Sequence, residues 1–501
     1  MSERIIIPGP PGTGKTHRLI HYLNKELNEY KTDPVKIAFI SFSKAAAEEA
    51  KRRINNDKIF AGTMHSLGAR SLSIDTNSQL LKGSKWKTFK NFSVICQHLS
   101  FESYVTETGI PQYKNHHMKI IEYARSKKLT LNDAAIELGL QYSVDIWFTE
   151  QLAEDLKAYK EQENMFEFSD MITKFIEQDK CPPLDVVFLD EAQDLSPLQW
   201  DMFFYIEEQC KRSYIAGDDD QTIYNFQGAN PEIFINLKGT FDPQIKSRRV
   251  PRKIHQLAES IFPHMTERLD KKWEPRDAEG EIENNVSLED LDFTTGQWMI
   301  LARTNEKLKP IAEHLTRQTI RFTSKIQNLL SKELLNAYRT WIRLNAGALV
   351  SKEDAQDLYK FLNYKKGHVE YGFSGGKSLN TVENVDLDTL RLEHGLRVAG
   401  DWEQLHIPEE SKNYMKALID SGDDLMKEPR IKVSTIHGVK GEECDNVVLH
   451  TDLEKIIYDA ALKNADPEHR TFFVGVTRTK EKLFLVRPTS EYNYTIGDPI
   501  V

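Results

Sequence analysis

The chain alternates short, wholly apolar runs with longer stretches whose apolar residues recur every three or four positions. The run from Arg4 to Ile7 leads into Gly9-Pro10-Pro11-Gly12-Thr13-Gly14-Lys15-Thr16, after which Leu19, Ile20, Leu23 and Leu27 follow at helical spacing. This pattern predicts a strand, a glycine-rich loop and a helix. A second apolar run, Val186 to Leu189, follows Pro182-Pro183 and ends in Asp190-Glu191-Ala192-Gln193-Asp194, as expected of a central parallel strand. Tyr214 to Gly217 predicts a third strand, running into Asp218-Asp219-Asp220-Gln221-Thr222-Ile223-Tyr224-Asn225-Phe226-Gln227-Gly228-Ala229. The stretch between His65 and Asp190 reads as mostly helical. Strands and helices that alternate in this way imply an α/β fold with parallel sheets flanked by helices.

At 501 residues the chain is too long for one hydrophobic core, and about three or four folding units are expected. Hydrophobic content of 40% and charged content of 28% are ordinary for a folded protein. A formal net charge of -10 argues against coating nucleic acid by bulk attraction, but leaves room for a locally basic, aromatic groove. Three isoleucines behind Met-Ser-Glu-Arg are too few, and wrongly flanked, for a signal peptide or membrane span, so a cytoplasmic location without membrane contact is expected. Cys96, Cys181, Cys210 and Cys444 lie far apart, which suggests neither a zinc site nor a disulfide framework.

The glycine-rich loop has the spacing G-x4-G-K-T, which lets backbone N–H groups turn inward around a polyphosphate at a helix N-terminus. Residues Gly9, Pro10, Pro11, Gly12, Thr13, Gly14, Lys15, Thr16 and His17 form the candidate nucleotide-binding segment, with Lys15 directed to the β and γ phosphates and Thr16 to Mg2+. Asp190 emerges at the C-terminal edge of its strand, where it can meet the same Mg2+, while Glu191 orients and deprotonates an attacking water. ATP and Mg2+ are therefore the expected cofactors.

Taken with Ser41-Phe42-Ser43-Lys44-Ala45-Ala46-Ala47, Gly62-Thr63-Met64-His65, Arg303-Thr304-Asn305, Ser434 to Glu443 and Phe473 to Arg478, these motifs resemble the UvrD/Rep/PcrA family of superfamily 1A DNA helicases over most of the chain. The resemblance implies two RecA-like P-loop domains, each carrying an inserted, mainly helical subdomain. The first would comprise 1–66 and 166–245 with the insertion 67–165; the second would comprise 246–330 and 428–501 with a short insertion, 331–427, whose Tyr371 to Lys377 stretch is expected to be irregular. It further implies that Gln221 senses the γ-phosphate, that Arg249 and Arg478 reach the nucleotide from the second domain, and that Glu443 contacts the ribose hydroxyl. Phe42, Tyr224 and Phe226, with Thr63, His65, Arg303, Asn305 and His437, would then face DNA.

Two departures from the family pattern bear on the base. No segment with an adenine-reading glutamine is expected ahead of Gly9, and Arg248 stands where relatives commonly place an aromatic. A guanidinium stacks on a purine but reads less of its shape, so relaxed nucleotide selectivity is expected. Phe226-Gln227 stands where Trp-Arg is common, which retains stacking and loses one basic contact. The implied activity is ATP-dependent 3'-5' movement on single-stranded DNA and unwinding at single/double-strand junctions, by a monomeric or weakly self-associating protein. The alternative is a single-strand translocase that displaces bound proteins with little unwinding, motivated by the short second insertion. A binding module without catalysis is the reading from another class, and the presence of Lys15, Thr16, Asp190, Glu191, Gln221, Arg249 and Arg478 argues against it.

Overall fold

Six short segments pair side by side in parallel: β1 (Glu3–Pro8), β2 (Ile37–Ser41), β3 (Phe60–Gly62), β4 (Val186–Asp190), β5 (Arg212–Gly217) and β6 (Thr240–Phe241), in the order β3-β2-β4-β5-β1-β6. They are seen in a computed structural model that describes residues 3–105, 111–326 and 329–500. Alternate residues of each strand enter opposite cores. Ile5, Ile7, Phe39 and Phe188 pack on one face, against Leu19 and Leu23 of the helix Lys15–Asn28. Ile6, Ile40, Val187 and Leu189 pack on the other. Burial on both faces is why these strands read as unbroken apolar runs rather than alternating ones.

A second parallel sheet repeats the plan with β7 (Glu281–Val286), β8 (Trp298–Ala302), β9 (Phe322–Thr323), β10 (Ile431–Thr435), β11 (Cys444–Leu449) and β12 (Thr479–Val486), in the order β9-β10-β8-β11-β12-β7. Met299, Leu301, Val447 and Leu449 belong to the same buried cluster as Ile6 and Leu189, together with Tyr224, Val250 and Val439. The two sheets thus share one apolar core, and the expected class of two RecA-like α/β domains is the observed one.

Two further units project from these sheets. Residues 81–159 build a helical unit around Trp86, Phe89, Leu152 and Tyr159, with the strand pair Ser103–Val105 and Pro111–Tyr113 beside the helices. Residues 330–425 close a separate core around Trp341, Leu358, Tyr359 and Met415. Within the latter, Gly375 and Gly376 take left-handed backbone angles inside a 3-10 stretch, which makes the 371–377 region a kinked, irregular segment. No helix among the described residues is long and apolar enough to cross a membrane.

Because residues 330–425 have a core of their own, Trp341→Ala, which empties a site 1% exposed, is expected to destabilise that unit by about 3–5 kcal/mol. Limited proteolysis should show new cleavage within 330–425 while nucleotide affinity stays at the wild-type value.

Candidate nucleotide and strand-binding site

The strands of the first sheet end in register, Pro8 beside Gly217 and Ser41 beside Asp190, so the loops that follow β1, β4 and β5 open on one edge. Gly14 caps the helix Lys15–Asn28 in a left-handed conformation, and Lys15 Nζ donates to the Gly9 carbonyl at 2.7 Å. Gly12, at φ +74°, leaves space that a Cβ would take from Arg249 Cβ at 2.6 Å and Ser247 Oγ at 2.7 Å. Ser247 Oγ donates to Pro11 O at 2.9 Å and the Arg248 N–H donates to Gly12 O at 2.8 Å. The start of the second domain is thereby fastened to the phosphate loop. The side chains of Arg248 and His17 are exposed beside it.

Thr16 Oγ1 donates to Asp190 Oδ2 at 2.7 Å across the intervening β5. A hydroxyl and a carboxylate at this separation are hard oxygen donors of the kind Mg2+ takes alongside phosphate and water. Burial and the neighbouring Glu191 charge push the Asp190 carboxyl up to about 6. Glu191 turns away from the strand through a left-handed φ of +56°, and Gln193 Nε2 donates to its Oε2 at 2.6 Å. Burial disfavours its charge, but the Lys15 and Lys440 cations and the Gln193 hydrogen bond outweigh that and hold Glu191 below the usual carboxylate range. The pair therefore divides: Glu191 is the carboxylate that holds its charge at neutral pH, and Asp190 takes up a proton more readily.

Gln193 also joins this site to the next loop, because its Oε1 accepts the Asp218 N–H at 2.9 Å. Gly217 permits the approach, since a Cβ there would stand 2.9 Å from the same oxygen. Gln221 Nε2 donates to Asp218 Oδ2 at 2.6 Å, and its Oε1 accepts from Arg478 Nη2 at 2.8 Å. Arg478 is 1% exposed and gives its other donors to Val474 O at 3.0 Å and Glu442 O at 3.1 Å. Burial and the nearby Arg249 charge lower its pKa to about 9, which leaves it cationic at neutral pH. Arg249 Nε donates to Glu443 Oε2 at 2.6 Å. The structure thus brings Lys15, Thr16, Asp190, Glu191, Gln221, Arg249, Glu443 and Arg478 to one interface between the sheets.

The residues expected to face DNA divide into two groups. Phe42, Tyr224, Phe226 and His437 form a chain of rings, with centroids 5.2 Å apart for Phe42 and Tyr224, 6.1 Å for Tyr224 and Phe226, and 5.6 Å for Phe226 and His437. Phe42, Tyr224 and His437 are buried in this arrangement, and Phe226, 44% exposed, is the ring that offers its face to solvent. It lines a cleft of about 200 Å3 together with His65, Tyr123, Ser196 and Gln227. Burial lowers His65 to about 4, so it is neutral at neutral pH. The others serve the local backbone or an ion pair. Thr63 caps the helix Met64–Ser71, Asn305 begins an exposed helical turn, and Arg303 pairs with Glu468 at 2.7 and 2.8 Å. Lys440, within the Ser434 to Glu443 motif, donates to Asp194 and, at 2.5 Å, to Gln221 O, and sits 5.3 Å from the Tyr224 ring centroid.

Comparison with known proteins agrees with this geometry. The UvrD/REP helicase N-terminal domain model matches residues 1–242 and the UvrD-like helicase C-terminal domain model matches residues 409–489. The chain belongs to the UvrD/REP helicase family. It is 22% identical to the "ATP-dependent DNA helicase PcrA" of Leuconostoc citreum over 64% of this chain and 47% of that protein. It is 25% identical to the "ATP-dependent DNA helicase Rep" of Buchnera aphidicola over 52% of this chain and 43% of that protein. The chain thus spans less than half the length of these two relatives. A "Probable DNA helicase II homolog" of Mycoplasma capricolum is 21% identical and is covered more fully, over 96% of this chain and 82% of that protein.

Gly12→Ala introduces both a disfavoured backbone angle and a clash with the Ser247–Arg249 segment. It is expected to cost about 1–3 kcal/mol of stability. Binding of a fluorescent ATP analogue should weaken at least in step, and unchanged affinity and melting temperature would mean that the loop and this segment are not mutually fitted.

Proposed function

We propose that this protein hydrolyses ATP to drive movement along single-stranded DNA in the 3'-5' direction, and that it unwinds duplex at single/double-strand junctions. The observation that carries the reading is the Arg478–Gln221 contact, because it ties a cation from the second sheet to the loop beside Glu191 and Lys15. Lys15 and the loop amides bind the phosphates, and Glu191, kept ionised by its cationic neighbours, accepts the proton of the attacking water. Thr16 and Asp190 would hold Mg2+, which supplies charge neutralisation at the β and γ phosphate oxygens. Arg478 and Arg249 stabilise the charge that develops during transfer, and they do so only when the sheets are together.

The coupling to DNA lies in the segment from Gln221 to Phe226. A change at the γ-phosphate that moves Gln221 moves Tyr224 and the exposed Phe226 within the same short stretch, and stacking on such a ring is indifferent to base sequence. Glu443 reaches the ribose when Arg249 turns to the phosphates. The proposed domains are 1–66 with 166–245 and 246–330 with 428–501, carrying the insertions 67–165 and 331–427, and the shortness of the second insertion gives the translocase alternative its footing.

The deciding measurement is unwinding of duplexes with either a 3' or a 5' single-stranded tail. Strand separation from the 3' tail, absent in Lys15→Ala, is the expected result; DNA-stimulated hydrolysis without separation selects the translocase, and a 5' preference refutes the polarity. Arg478→Ala should lower kcat for ATP by roughly 10³-fold or more with little change in nucleotide binding. With Arg248 at the base position, GTP and dATP should support hydrolysis at rates close to that with ATP, and a panel showing strict ATP preference would sink that expectation.

A further inference from the structure

Asp218, Asp219 and Asp220 are all 0% exposed, an arrangement that requires cations within the protein. They come from the segment Met265–Trp273, which packs with the second domain: Thr266 binds Asp466, and Arg470 donates to Glu267 O. Lys271 Nζ lies 2.7 Å from Asp218 Oδ1 and 3.0 Å from Asp220 Oδ2, and it also contacts Asp219. Arg268 forks onto Asp220 at 3.0 and 2.9 Å, and the Leu269 N–H donates to Asp219 Oδ2 at 2.8 Å. Three carboxylates thus face two cations, an excess of one negative charge.

The two oxygens of Asp218 are divided between Lys271 and the Gln221 amide. A carboxylate accepts and cannot donate, so it forces the Gln221 NH2 toward itself; the carbonyl oxygen is then left for Arg478, which can only donate. Lys271, Asp218, Gln221 and Arg478 therefore form one chain of contacts that leaves the second domain at Lys271 and returns to it at Arg478.

We propose that Lys271 is a positioning residue for Gln221, fixing through Asp218 the direction in which the Gln221 side-chain amide points. This rests on the ATP-hydrolysis reading given above. Without Lys271 the three aspartates repel one another around Arg268 alone, and the cheapest response is uptake of a proton or rotation of a carboxylate. Either response releases the Gln221 NH2, and the amide is free to flip. Phosphate binding by Lys15 and the loop amides involves none of these atoms, so the effect falls on turnover rather than on nucleotide affinity.

The test is steady-state ATP hydrolysis in the full chain with saturating single-stranded DNA, comparing wild type, Lys271→Met, Gln221→Ala, their combination, and the charge-balanced Lys271→Met/Asp219→Asn. The last removes one cation and one anion, keeping two carboxylates against Arg268 and the same excess of one negative charge, so that the comparison stands even if the single variant fails to fold. Lys271→Met and the charge-balanced variant should each lose roughly tenfold in kcat with KM for ATP within about twofold. In the Gln221→Ala background, adding Lys271→Met should change kcat by less than about twofold. Wild-type kcat in the charge-balanced variant, or a full additional loss in the Gln221→Ala background, overturns the proposal and assigns Lys271 to charge compensation alone. A wild-type protein that hydrolyses no ATP overturns the functional reading and this inference with it, which separates the two failures.

Discussion

A guanidinium removed from water has to be given acceptors, and Arg478 finds them on both sides of the interface between the two sheets. Val474 and Glu442 supply carbonyls from its own half, and Gln221 supplies an amide oxygen from the other. Drawing the sheets apart would leave a nearly dry cation one partner short, a cost of about several kcal/mol unless water follows it in. The interface is consequently suited to two discrete states, open and wet or closed and dry, rather than to a continuum of intermediate separations. Most of the chemistry legible in the site depends on which of these is occupied.

The aromatic chain is subject to the same constraint. Lys440 holds the Gln221 carbonyl and Asp194 while lying near the Tyr224 ring, and the Tyr224 hydroxyl donates to His437 O at 3.3 Å. Ring positions in the first half are therefore set partly by groups of the second. A strand resting against Phe226 and a nucleotide resting against Lys15 would be reading two ends of one connected piece of protein.

The parts of the site that are local in sequence were legible from it. A glycine loop between an apolar strand and a periodic helix, and a carboxylate pair at the end of an apolar run, announce their positions because strand and helix periodicities are short-range. Pairings across large sequence separations were not. Nothing near Asp218 points to Lys271, 53 residues on, and nothing in Arg303-Thr304-Asn305 shows that the arginine meets Glu468. Phe42 illustrates a third case, since an aromatic after a strand serves equally as a core ring or an exposed platform, and here burial against Tyr224 selects the former. The fold class was readable because continuous apolar runs can be buried on two faces only by covering both with helices.

The second inserted unit departs after β9 and returns at β10, two strands that are themselves hydrogen-bonded neighbours, with Phe322 beside Ile431. Its entry and exit are thus held a strand's width apart by the sheet, whatever lies between them. Closing a longer loop across such a fixed gap costs only slowly more with length. Evolution can therefore treat this position as a socket: units of different size can be fitted, trimmed or exchanged there, and the sheet beneath need not be re-engineered.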